Sequence, residues 1–480
     1  MAPVLFRFCR DLRVEDHAGL ARAAALGPIV PVLVLDDALI ARLKYSSRRA
    51  SFFCHAVESL DRALRERGSQ LTVRRGPLVA TLRALAKGAQ AQGVVWSYSY
   101  DAQGIRDEAE LQSAFEESGL RAIGVHDAPA VPPEETTAAK ASPGDGYVAL
   151  APYAEVWRAA EMASYEAPLL LRFAQADLTN EPLPSPHEFG CTDTEERASA
   201  ALASDQLRHF LEYDAPQYTE AVNVPAEDRT SRLSAHLSFG TIAARSIVRE
   251  TQQRAENGLL LAEERASFRR FLRSLAQRDF FLQLAWYHCA DEKRSLQEKM
   301  RTFPFAEKHA ELESWKEGRT GYPLVDAGIR QLHQTGWMHP RVRSVAASFL
   351  CFDLGVDWRV GLQEWDRHLI EDDPALAIGN WQWVAGVGAD LAAYPRIYNP
   401  IKQARRFDPH GKYVRHWIPE LAHRPAVLLR SPEALALELP LYGSAGYPQP
   451  VLDHAREARA FLSSYNEFIG QAGVPQSSPR

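Results

Sequence analysis

The sequence predicts an α/β domain built on a parallel sheet, joined by a long linker to an all-α domain. Over residues 1–128, short β-branched runs alternate with amphipathic helical stretches, which is the pattern of βαβ units. Residues 129–200 are rich in proline, glycine, serine and acids and are predicted to be the linker. Residues 201–469 carry apolar residues at helical spacing, and residues 470–480 are expected to be a disordered tail.

The five strands predicted in the first domain are separated by helices, so they should all be parallel. The strands are predicted at Val4–Phe8, Ile29–Leu35, Leu71–Val73, Val94–Ser97 and Ala122–Val125, with helices at Ala18–Leu26, Arg48–Glu66, Leu78–Ala91 and Arg106–Ser118. Such a sheet binds ligands beyond the carboxyl ends of its strands. Neither a GxGxxG nor a GxxxxGKS/T motif follows a strand, which argues against a dinucleotide fingerprint or a phosphate-binding loop.

Helices are also predicted in the linker and throughout the second domain. The linker helices are predicted at Tyr153–Ala163 and Leu169–Ala174. Those of the second domain are predicted at Ser204–Tyr213, Thr241–Arg254, Glu263–Tyr287, Pro323–Gln334, Val342–Leu354, Gly361–Leu369, Asn380–Ala385 and Asp453–Ile469. This region contains no internal repeat.

The composition is that of an ordinary globular protein of 480 residues, with 46% hydrophobic residues and a net charge of −6. Binding to nucleic acid would therefore require a local basic patch. The five cysteines are scattered and form no CxxC pair, which indicates a reducing compartment and argues against a disulfide frame, a zinc site or an iron–sulfur cluster. With no signal peptide or membrane span evident, we expect a cytoplasmic monomer without a metal.

The segment GNWQWVAGVGAD, residues 379–390, combines large aromatic residues with small ones. Trp381 and Trp383 flank Gln382, and the small residues after them let backbone approach a flat ligand. This combination predicts a pocket for a planar ring. The alternative that the residues alone leave open is that these tryptophans are core aromatics of a helical domain.

Charged residues flank this segment on both sides. The acidic run 371–373 precedes it, and Arg341 and Arg343 are the partners that we expect for these carboxylates. After it come the cations Arg396, Lys402, Arg405, Arg406, Lys412 and Arg415, interleaved with Tyr394, Tyr398, Phe407, Tyr413 and Trp417. Cations among aromatics suit a phosphate backbone with exposed bases, although a solvated surface would also explain them.

Four ordered segments resemble the flavin-binding helical domain of the photolyase/cryptochrome family. They are GYPLVDAGIRQLHQTGWMHPRVRSVAASFL (321–350), DWRVG (357–361), GNWQWVAGVGAD, and YPRIYNPIKQARRFDPHGKYVRHWIPEL (394–421). FRFCRDLRVEDHAGL (6–20) and SYDAQGIRDE (99–108) resemble the family's amino-terminal motifs. The resemblance implies that the all-α domain binds FAD, active in its reduced form. It also implies that the first domain can hold a second, light-harvesting chromophore, whose identity the sequence does not specify.

The resemblance assigns flavin contacts to residues spread over much of the chain. They are Tyr218, Thr230, Ser231, Arg232, Leu233, Ser234, Phe271, Arg278, Arg343, Glu371, Asp372 and Asp373. In RTSRLSAHLSFG (229–240), hydroxyls at a helix N-terminus would suit the flavin pyrophosphate, although plain capping explains them as well. Arg343 and the acidic run match the family's arginine–aspartate pair beside the flavin ring, where a guanidinium would favour a reduced, anionic flavin.

Contacts with damaged DNA are implied for a further set of positions. They are Ser274, Gln277, Pro340, Arg341, Trp383, Arg396 and Gln403. Trp383 would stack on a pyrimidine dimer flipped out of the duplex. Ser274 and Gln277 stand where photolyases carry a glutamate and a tryptophan, and Pro340 replaces a polar residue and cannot donate a backbone hydrogen bond.

Catalytic roles are implied for Trp381, Trp358, Ala377 and Arg343. Trp381 and Trp358 take the first two positions of the tryptophan chain that reduces the flavin in light. Phe305, which is far harder to oxidise, takes the third. Either Trp315 or Tyr322 completes the path, or photoreduction is slow. Ala377 faces flavin N5, where photolyases carry asparagine, and alanine can neither donate nor accept a hydrogen bond there.

The resemblance implies an enzyme, a deoxyribodipyrimidine photo-lyase that splits cyclobutane pyrimidine dimers in DNA with blue light. The alternative is a cryptochrome-like photoreceptor, which the altered positions Ser274, Gln277, Pro340 and Ala377 favour. A (6-4) photolyase is a weaker alternative. His339 lies near the expected position, but the histidine pair that such enzymes use for proton transfer is not evident, and Pro340 follows His339.

Overall fold

The chain was analysed as a computed structural model, which describes residues 1–138, 140, 142–164, 171–174, 178–288, 294–306, 309–389, 394–438 and 446–471. The strands are β1 Val4–Phe8, β2 Ile29–Leu35, β3 Thr72–Arg75, β4 Gly93–Ser97 and β5 Arg121–Val125. The first helices are α1 Ala18–Leu26, α2 Asp37–Leu43, α3 Ser47–Arg65, α4 Leu78–Gly88, α5 Ala102–Glu116, α6 Pro133–Thr137, α7 Leu150–Ala159, α8 Ala200–His209, α9 Tyr218–Ala221, α10 Ser234–Ser238, α11 Ala244–Ala255 and α12 Ala262–His288. They are followed by α13 Leu312–Lys316, α14 Pro323–Thr335, α15 Pro340–Ser348, α16 Trp358–Asp366, α17 Pro374–Ala385, α18 Pro400–Phe407, α19 Lys412–Trp417, α20 Ala426–Leu429, α21 Pro432–Glu438 and α22 His454–Gln471.

The five strands form one parallel sheet in the order β3-β2-β1-β4-β5. Both faces are covered, because alternate residues of β1 enter two different cores. Phe6 packs with Phe53 and Val57 of α3 on one face, and Leu5 packs with Leu82 of α4 and Phe115 on the other. Burial on both faces explains the continuous apolar runs, and the predicted fold class is confirmed.

The linker helix predicted at Leu169–Ala174 is wrong for the part of it that the structure describes. Phe173 forms a parallel bridge with Ile29, the Ile29 N–H donates to Arg172 O at 2.7 Å, and the Ala174 N–H donates to Ile29 O at 2.9 Å. Leu171 and Phe173 stand two residues apart on either side of Arg172, which is strand spacing. Residues 169 and 170 lie outside the described residues.

Several helices differ from their predicted limits. The helices predicted at Ser204–Tyr213 and Val342–Leu354 each end in a π-helical turn, at Phe210–Asp214 and Phe349–Asp353. Other helices also have limits that the periodicity placed differently. α5, α7, α16 and α17 begin earlier than predicted, α7 ends at Ala159 rather than Ala163, and α22 extends to Gln471, one residue past the predicted start of the tail. Residues 472–480 lie outside the described residues. Short helices α18 to α21 were not resolved by the periodicity.

The chain divides into two compact units whose boundaries cross the sequence several times. Unit 1 comprises Met1–Tyr218, Ser231–Glu292 and Ile370–Leu376, and unit 2 comprises Thr219–Thr230, Lys293–Leu369 and Ala377–Arg480. The core of unit 2 is helical and contains four buried tryptophans, Trp315, Trp358, Trp365 and Trp381. Among the described residues, no helix combines the length and apolarity that crossing a bilayer requires. The limits 1–128, 129–200, 201–469 and 470–480 stay a prediction.

Candidate functional site

Asp372, in unit 1, is a buried carboxylate surrounded by arginines. Its side chain is inaccessible to solvent, and Oδ1 accepts from Arg42 Nε at 2.8 Å. Arg10 Nη2 lies 3.4 Å from Oδ2, and Arg49 Nη1 lies 3.8 Å from Oδ1. Arg42 and Arg49 lie on α2 and α3, and Arg10 lies in the loop after β1. These partners are far from Asp372 in sequence and differ from the predicted ones, Arg341 and Arg343.

The neighbouring acids differ in their electrostatic environment. Burial alone would raise the pKa of Asp372, but Arg42, Arg10 and Arg49 hold it well below its usual range. Burial raises the pKa of Asp373, against the opposing effect of Arg278 and Arg10. Asp373 Oδ1 accepts from the Leu376 N–H at 3.2 Å, and Glu371 contributes its carbonyl oxygen to Arg49 Nη2 at 3.2 Å. Within the acidic run, Asp372 is therefore a fixed anion, whereas Asp373 is more easily protonated.

Two of the predicted flavin residues, Tyr218 and Phe271, meet in an aromatic cluster of unit 1. Their ring centroids are 5.5 Å apart, and Phe210 lies 4.7 Å from Phe271 and 5.7 Å from Tyr218. Burial raises the pKa of Tyr218, and a hydrogen bond with Ser274 opposes this effect. Ser274 itself is exposed, so a candidate lesion residue lies directly beside a candidate flavin residue.

Arg278 and Asp279 form a buried ion pair on α12. Arg278 Nη1 contacts Asp279 Oδ1 at 3.1 Å and donates to Ala128 O at 2.9 Å. Asp279 Oδ2 accepts from Ala130 N at 2.7 Å and from Trp157 Nε1 at 2.9 Å. Arg278 Nε is buried and lacks a hydrogen-bond partner among the described residues. An orphaned buried donor of this kind fits an acceptor on a bound group.

The segment 229–240 provides only part of the predicted phosphate-binding helix terminus. The helix α10 begins at Ser234 and has five residues, and Leu233, which precedes it, makes no side-chain capping bond. Thr230 Oγ1 donates to Asp228 Oδ1 at 3.3 Å, while Ser231 contributes its carbonyl to Gln206 Nε2 at 2.8 Å. Arg232 has a positive φ of 53°, and this strained turn places the hydroxyls before the helix rather than within it.

The tryptophans of unit 2 form a ladder that differs from the predicted one. Trp381 lies 4.5 Å from Trp365, and Trp365 stacks on Trp315 at 6.1 Å with an interplanar angle of 13°. Trp358 is fully buried and lies under the Arg359 guanidinium at 4.6 Å. Gly361 allows α16 to approach α17, because a Cβ there would lie 2.2 Å from Trp381 Cη2. No sequence motif pointed to Trp365.

Phe305 and Tyr322 lie in other aromatic groups of unit 2. The ring of Phe305 is 4.6 Å from Phe303 and 6.1 Å from Phe461. Tyr322 packs against Phe349 at 5.1 Å and donates its hydroxyl to Leu452 O at 3.0 Å. Of the two predicted substitutes for the third position, Trp315 is therefore the one that continues the ladder.

The two tryptophans of GNWQWVAGVGAD do not share one pocket. Trp381 is buried in the core, whereas Trp383, two residues later on α17, is partly exposed. Gln382 is buried between them and ties down the preceding segment, donating to Arg294 O at 3.1 Å and accepting from Leu296 N at 3.0 Å. The core interpretation therefore holds for Trp381, and Trp383 alone is available for a surface ligand.

Arg341 is positioned on the surface of unit 2 by two contacts. Its guanidinium donates to Asn223 Oδ1 at 2.6 and 3.1 Å and lies over the Phe407 ring at 4.7 Å. Pro340 is the first residue of α15, a position where a missing N–H costs little. His339 is buried and caps that helix, with Nδ1 accepting from Arg341 N at 3.2 Å. Arg343 Nε donates to Met338 O at 2.7 Å.

In the basic run after α17, five cations are exposed and the acid is buried. Arg396, Lys402, Arg405, Arg406 and Lys412 are exposed. Asp408 is 3% exposed and accepts from the N–H groups of Tyr413 and Val414 at 3.1 and 3.0 Å, so it stabilises the start of α19. Gln403 Oε1 is buried and has no hydrogen-bond partner in the described part of the chain. Ala377 is partly exposed.

Comparison with known proteins places this chain in one family. Residues 4–170 match the family model described as DNA photolyase, and residues 271–467 match the FAD binding domain of DNA photolyase. A deoxyribodipyrimidine photo-lyase of Halobacterium salinarum is 33% identical over 97% of this chain and 99% of its own length.

Two solved structures are similar over nearly the full length. A class III photolyase from Agrobacterium tumefaciens has a TM-score of 0.85 at 28% identity, covering 98% of both chains. A cryptochrome from Synechocystis has a TM-score of 0.86 at 26% identity, covering 96% of this chain and 98% of its own. The chain therefore belongs to the DNA photolyase/cryptochrome family and carries that family's FAD-binding domain.

Proposed function

We propose that this chain is a deoxyribodipyrimidine photo-lyase that uses blue light to split cyclobutane pyrimidine dimers in DNA. The observation that carries the proposal is the basic run from Arg396 to Arg415, whose single acid, Asp408, is buried as a helix cap. Full-length similarity to a curated photo-lyase supports it. FAD supplies the light-driven electron transfer when bound. The protein's own groups therefore bind the flavin and the damaged DNA, orient them, and tune the flavin.

The exposed cations would hold the phosphate backbone of the damaged strand. Lys402, Arg405 and Arg406 lie on one short helix, α18, and the partly exposed Arg341 is held over the Phe407 ring. Binding of this kind releases counterions and weakens steeply with salt. It also explains how a protein of net charge −6 binds DNA through a local patch.

The lesion would be recognised by stacking rather than by acid–base chemistry. Trp383 is partly exposed and offers the face of an indole ring to a flipped pyrimidine pair, and base stacking on an aromatic contributes about 1–3 kcal/mol. Flipping costs a few kcal/mol and less for a damaged pair. In unit 1, Ser274 and Gln277 would take the places of a stronger hydrogen-bonding acid and a second stacking ring.

The flavin would be held by the aromatic, basic and acidic groups described above. Phe271 and Tyr218 would pack against it, and the orphaned Arg278 Nε would donate to one of its acceptors. Asp372, kept anionic by three arginines, would hold these arginines in place. Thr230, Ser231 and neighbouring residues of 229–240 would contact the pyrophosphate.

We assign the light-driven reduction path to Trp381, Trp365 and Trp315. The ring contacts at 4.5 and 6.1 Å are continuous, and the Trp365 indole N–H is buried without a partner among the described residues. This path bypasses Phe305. The site of action would be the cytoplasm, where a DNA repair enzyme meets its substrate, and the protein would act as a monomer.

A cryptochrome-like photoreceptor is the second candidate, since the Synechocystis cryptochrome is as similar in fold as the photolyases. The full-length curated relative and the basic run favour repair. A (6-4) photolyase is disfavoured because His339 is buried and its Nδ1 is used as a helix cap.

A repair assay tests the proposal. FAD-loaded, chemically reduced protein is mixed with a thymine-dimer oligonucleotide, and intact thymines are followed in blue light and in darkness. We expect recovery only in light. Trp383→Ala should weaken binding of the dimer while FAD stays bound, and Trp383→Phe, which keeps a stacking face, should bind more tightly than the alanine variant. No recovery by protein whose flavin is spectroscopically confirmed as reduced would refute the proposal.

A further inference from the structure

Three potential metal ligands that are assigned neither to the flavin nor to DNA meet on the surface of unit 2. His333 lies on α14, and Glu364 and His368 lie on α16 and in the turn that follows it. One nitrogen of each imidazole and one oxygen of the carboxylate lie within 4.8 Å of one another. The two histidine rings are 4.1 Å apart at an interplanar angle of 36°.

The separation is close to what a metal requires. A tetrahedral zinc ion with ligands at 2.0–2.1 Å needs donor atoms about 3.4 Å apart. Glu364 Oε1 and His368 Nε2 are already 3.2 Å apart. The His333 donor nitrogen lies within 4.8 Å of both of these atoms, and because the His333 side chain is exposed, a small change of its torsion angles can bring it to the metal–ligand distance.

The donor set selects the class of metal. Two imidazoles and one carboxylate suit zinc and other borderline divalent ions such as cobalt or nickel, whereas magnesium and calcium prefer oxygen ligands alone. Three protein ligands leave a fourth position for water. Arg367 Nη1 approaches the other carboxylate oxygen, Oε2, at 3.3 Å, so Oε1 stays directed toward the histidines.

We propose that His333, Glu364 and His368 form a zinc-type divalent metal site that joins α14 to the end of α16. The site does not depend on the proposed function. A metal bound there would hold two helices together and would fix the backbone on either side of Trp365, which lies between Glu364 and His368 in the chain. The expected consequence is a local rise in stability on metal binding.

The test uses the full-length FAD-loaded protein with any affinity tag removed, stripped with EDTA and desalted. Zn²⁺ is titrated against a chromophoric chelator, and Co²⁺ is added separately to record its visible d–d spectrum. We expect one equivalent of Zn²⁺ and a tetrahedral Co²⁺ spectrum. His333→Ala should weaken zinc binding by at least about tenfold, since loss of even an outer-sphere partner costs that much.

Matched variants make the result decisive. His423→Ala removes another exposed histidine of unit 2 and should bind zinc as the unaltered protein does. His368→Asn tests the site from the α16 side, and FAD absorbance with far-ultraviolet circular dichroism verifies that each variant is folded. The proposal is overturned if the unaltered protein takes up no zinc at micromolar concentrations, or if folded His333→Ala and His368→Asn bind it as tightly.

Discussion

We infer that Ala377 faces flavin N5, where it offers no hydrogen-bonding side chain. A methyl group offers neither a donor nor an acceptor, so that Ala377→Asn should add one hydrogen bond to the reduced flavin, a contribution on the order of 1 kcal/mol. We expect the separation between the two one-electron potentials of bound FAD to change, as measured by spectroelectrochemical titration. Ala377→Val is the control of comparable bulk without hydrogen-bonding capacity. Equal separations in the two variants would show that residue 377 does not face N5.

Glu108 gives a pH-dependent prediction. Burial raises the pKa of Glu108 to about 7, although Arg7 and Ser99 oppose the shift. Since the folded pKa lies above the unfolded one, the stabilisation from the protonated acid is complete below about pH 4.5 and is lost as pH rises through about 7.

Glu108→Gln keeps the neutral form at every pH. Its free energy of unfolding should therefore exceed that of the unaltered protein by about 3 kcal/mol near pH 8 and be similar near pH 5. Denaturant titrations at the two pH values measure this difference. A difference that does not grow with pH would contradict the prediction. Ser99 N donates to Glu108 Oε1 at 2.9 Å, and a glutamine oxygen can keep that bond.

At the scale of elements, the packing of α16 against α17 determines which aromatic ring follows Trp381 in the proposed electron-transfer path. Trp365→Phe should slow light-driven reduction of the flavin by more than about tenfold, because phenylalanine is far harder to oxidise and each tenfold corresponds to about 1.4 kcal/mol of barrier. Transient absorption after a laser flash measures the rate. Trp417→Phe, a partly buried tryptophan of unit 2 outside the ladder, should leave it unchanged. If Trp358→Phe slows reduction more than Trp365→Phe does, the electron follows the family's route instead.

The elements that could be predicted from the sequence are those whose periodicity is strong and local. The strands β1, β2 and β4 are buried and form apolar runs, and the predicted centres of all five strands lie within observed strands. Short helices such as α2 and α18 have too few turns for a periodic signal. Residues 171–174 include helix-forming residues but also have apolar residues at strand spacing, so the sequence is compatible with a helix or a strand. The bridge between Phe173 and Ile29 stabilises the extended conformation.

The site was less predictable, because its contacts are made across long separations in sequence. Resemblance to the family pointed to Tyr218 and Phe271, which the structure brings together. The partners of Asp372 and the role of Trp365 depend on tertiary packing. His333, Glu364 and His368 carry no local motif, since their arrangement depends on how α14 and α16 pack, and the scattered cysteines gave no hint of a metal.

At the scale of the whole molecule, unit 1 unites the amino-terminal sheet with a segment some three hundred residues later. Asp372 in that segment is the counter-ion of Arg10, Arg42 and Arg49. Asp372→Ala would remove the carboxylate partner of Arg42 and of the fully buried Arg49, while Arg10 would keep Asp101 at 2.7 Å. Breaking a buried pair in this way costs about 3–5 kcal/mol.

We therefore expect Asp372→Ala to destabilise the parallel sheet, far from the substitution in sequence. Hydrogen exchange followed by mass spectrometry should show faster exchange in β1 to β5. Asp372→Asn, which keeps an acceptor of the same shape but removes the charge, should have a smaller effect. Because the folded pKa of Asp372 is depressed, its contribution is present above about pH 4 and is lost as pH falls, so the difference between the unaltered protein and Asp372→Ala should shrink on acidification. Faster exchange confined to residues 309–369 and 394–438, with the strands unaffected, would show that Asp372 stabilises unit 2 rather than the sheet.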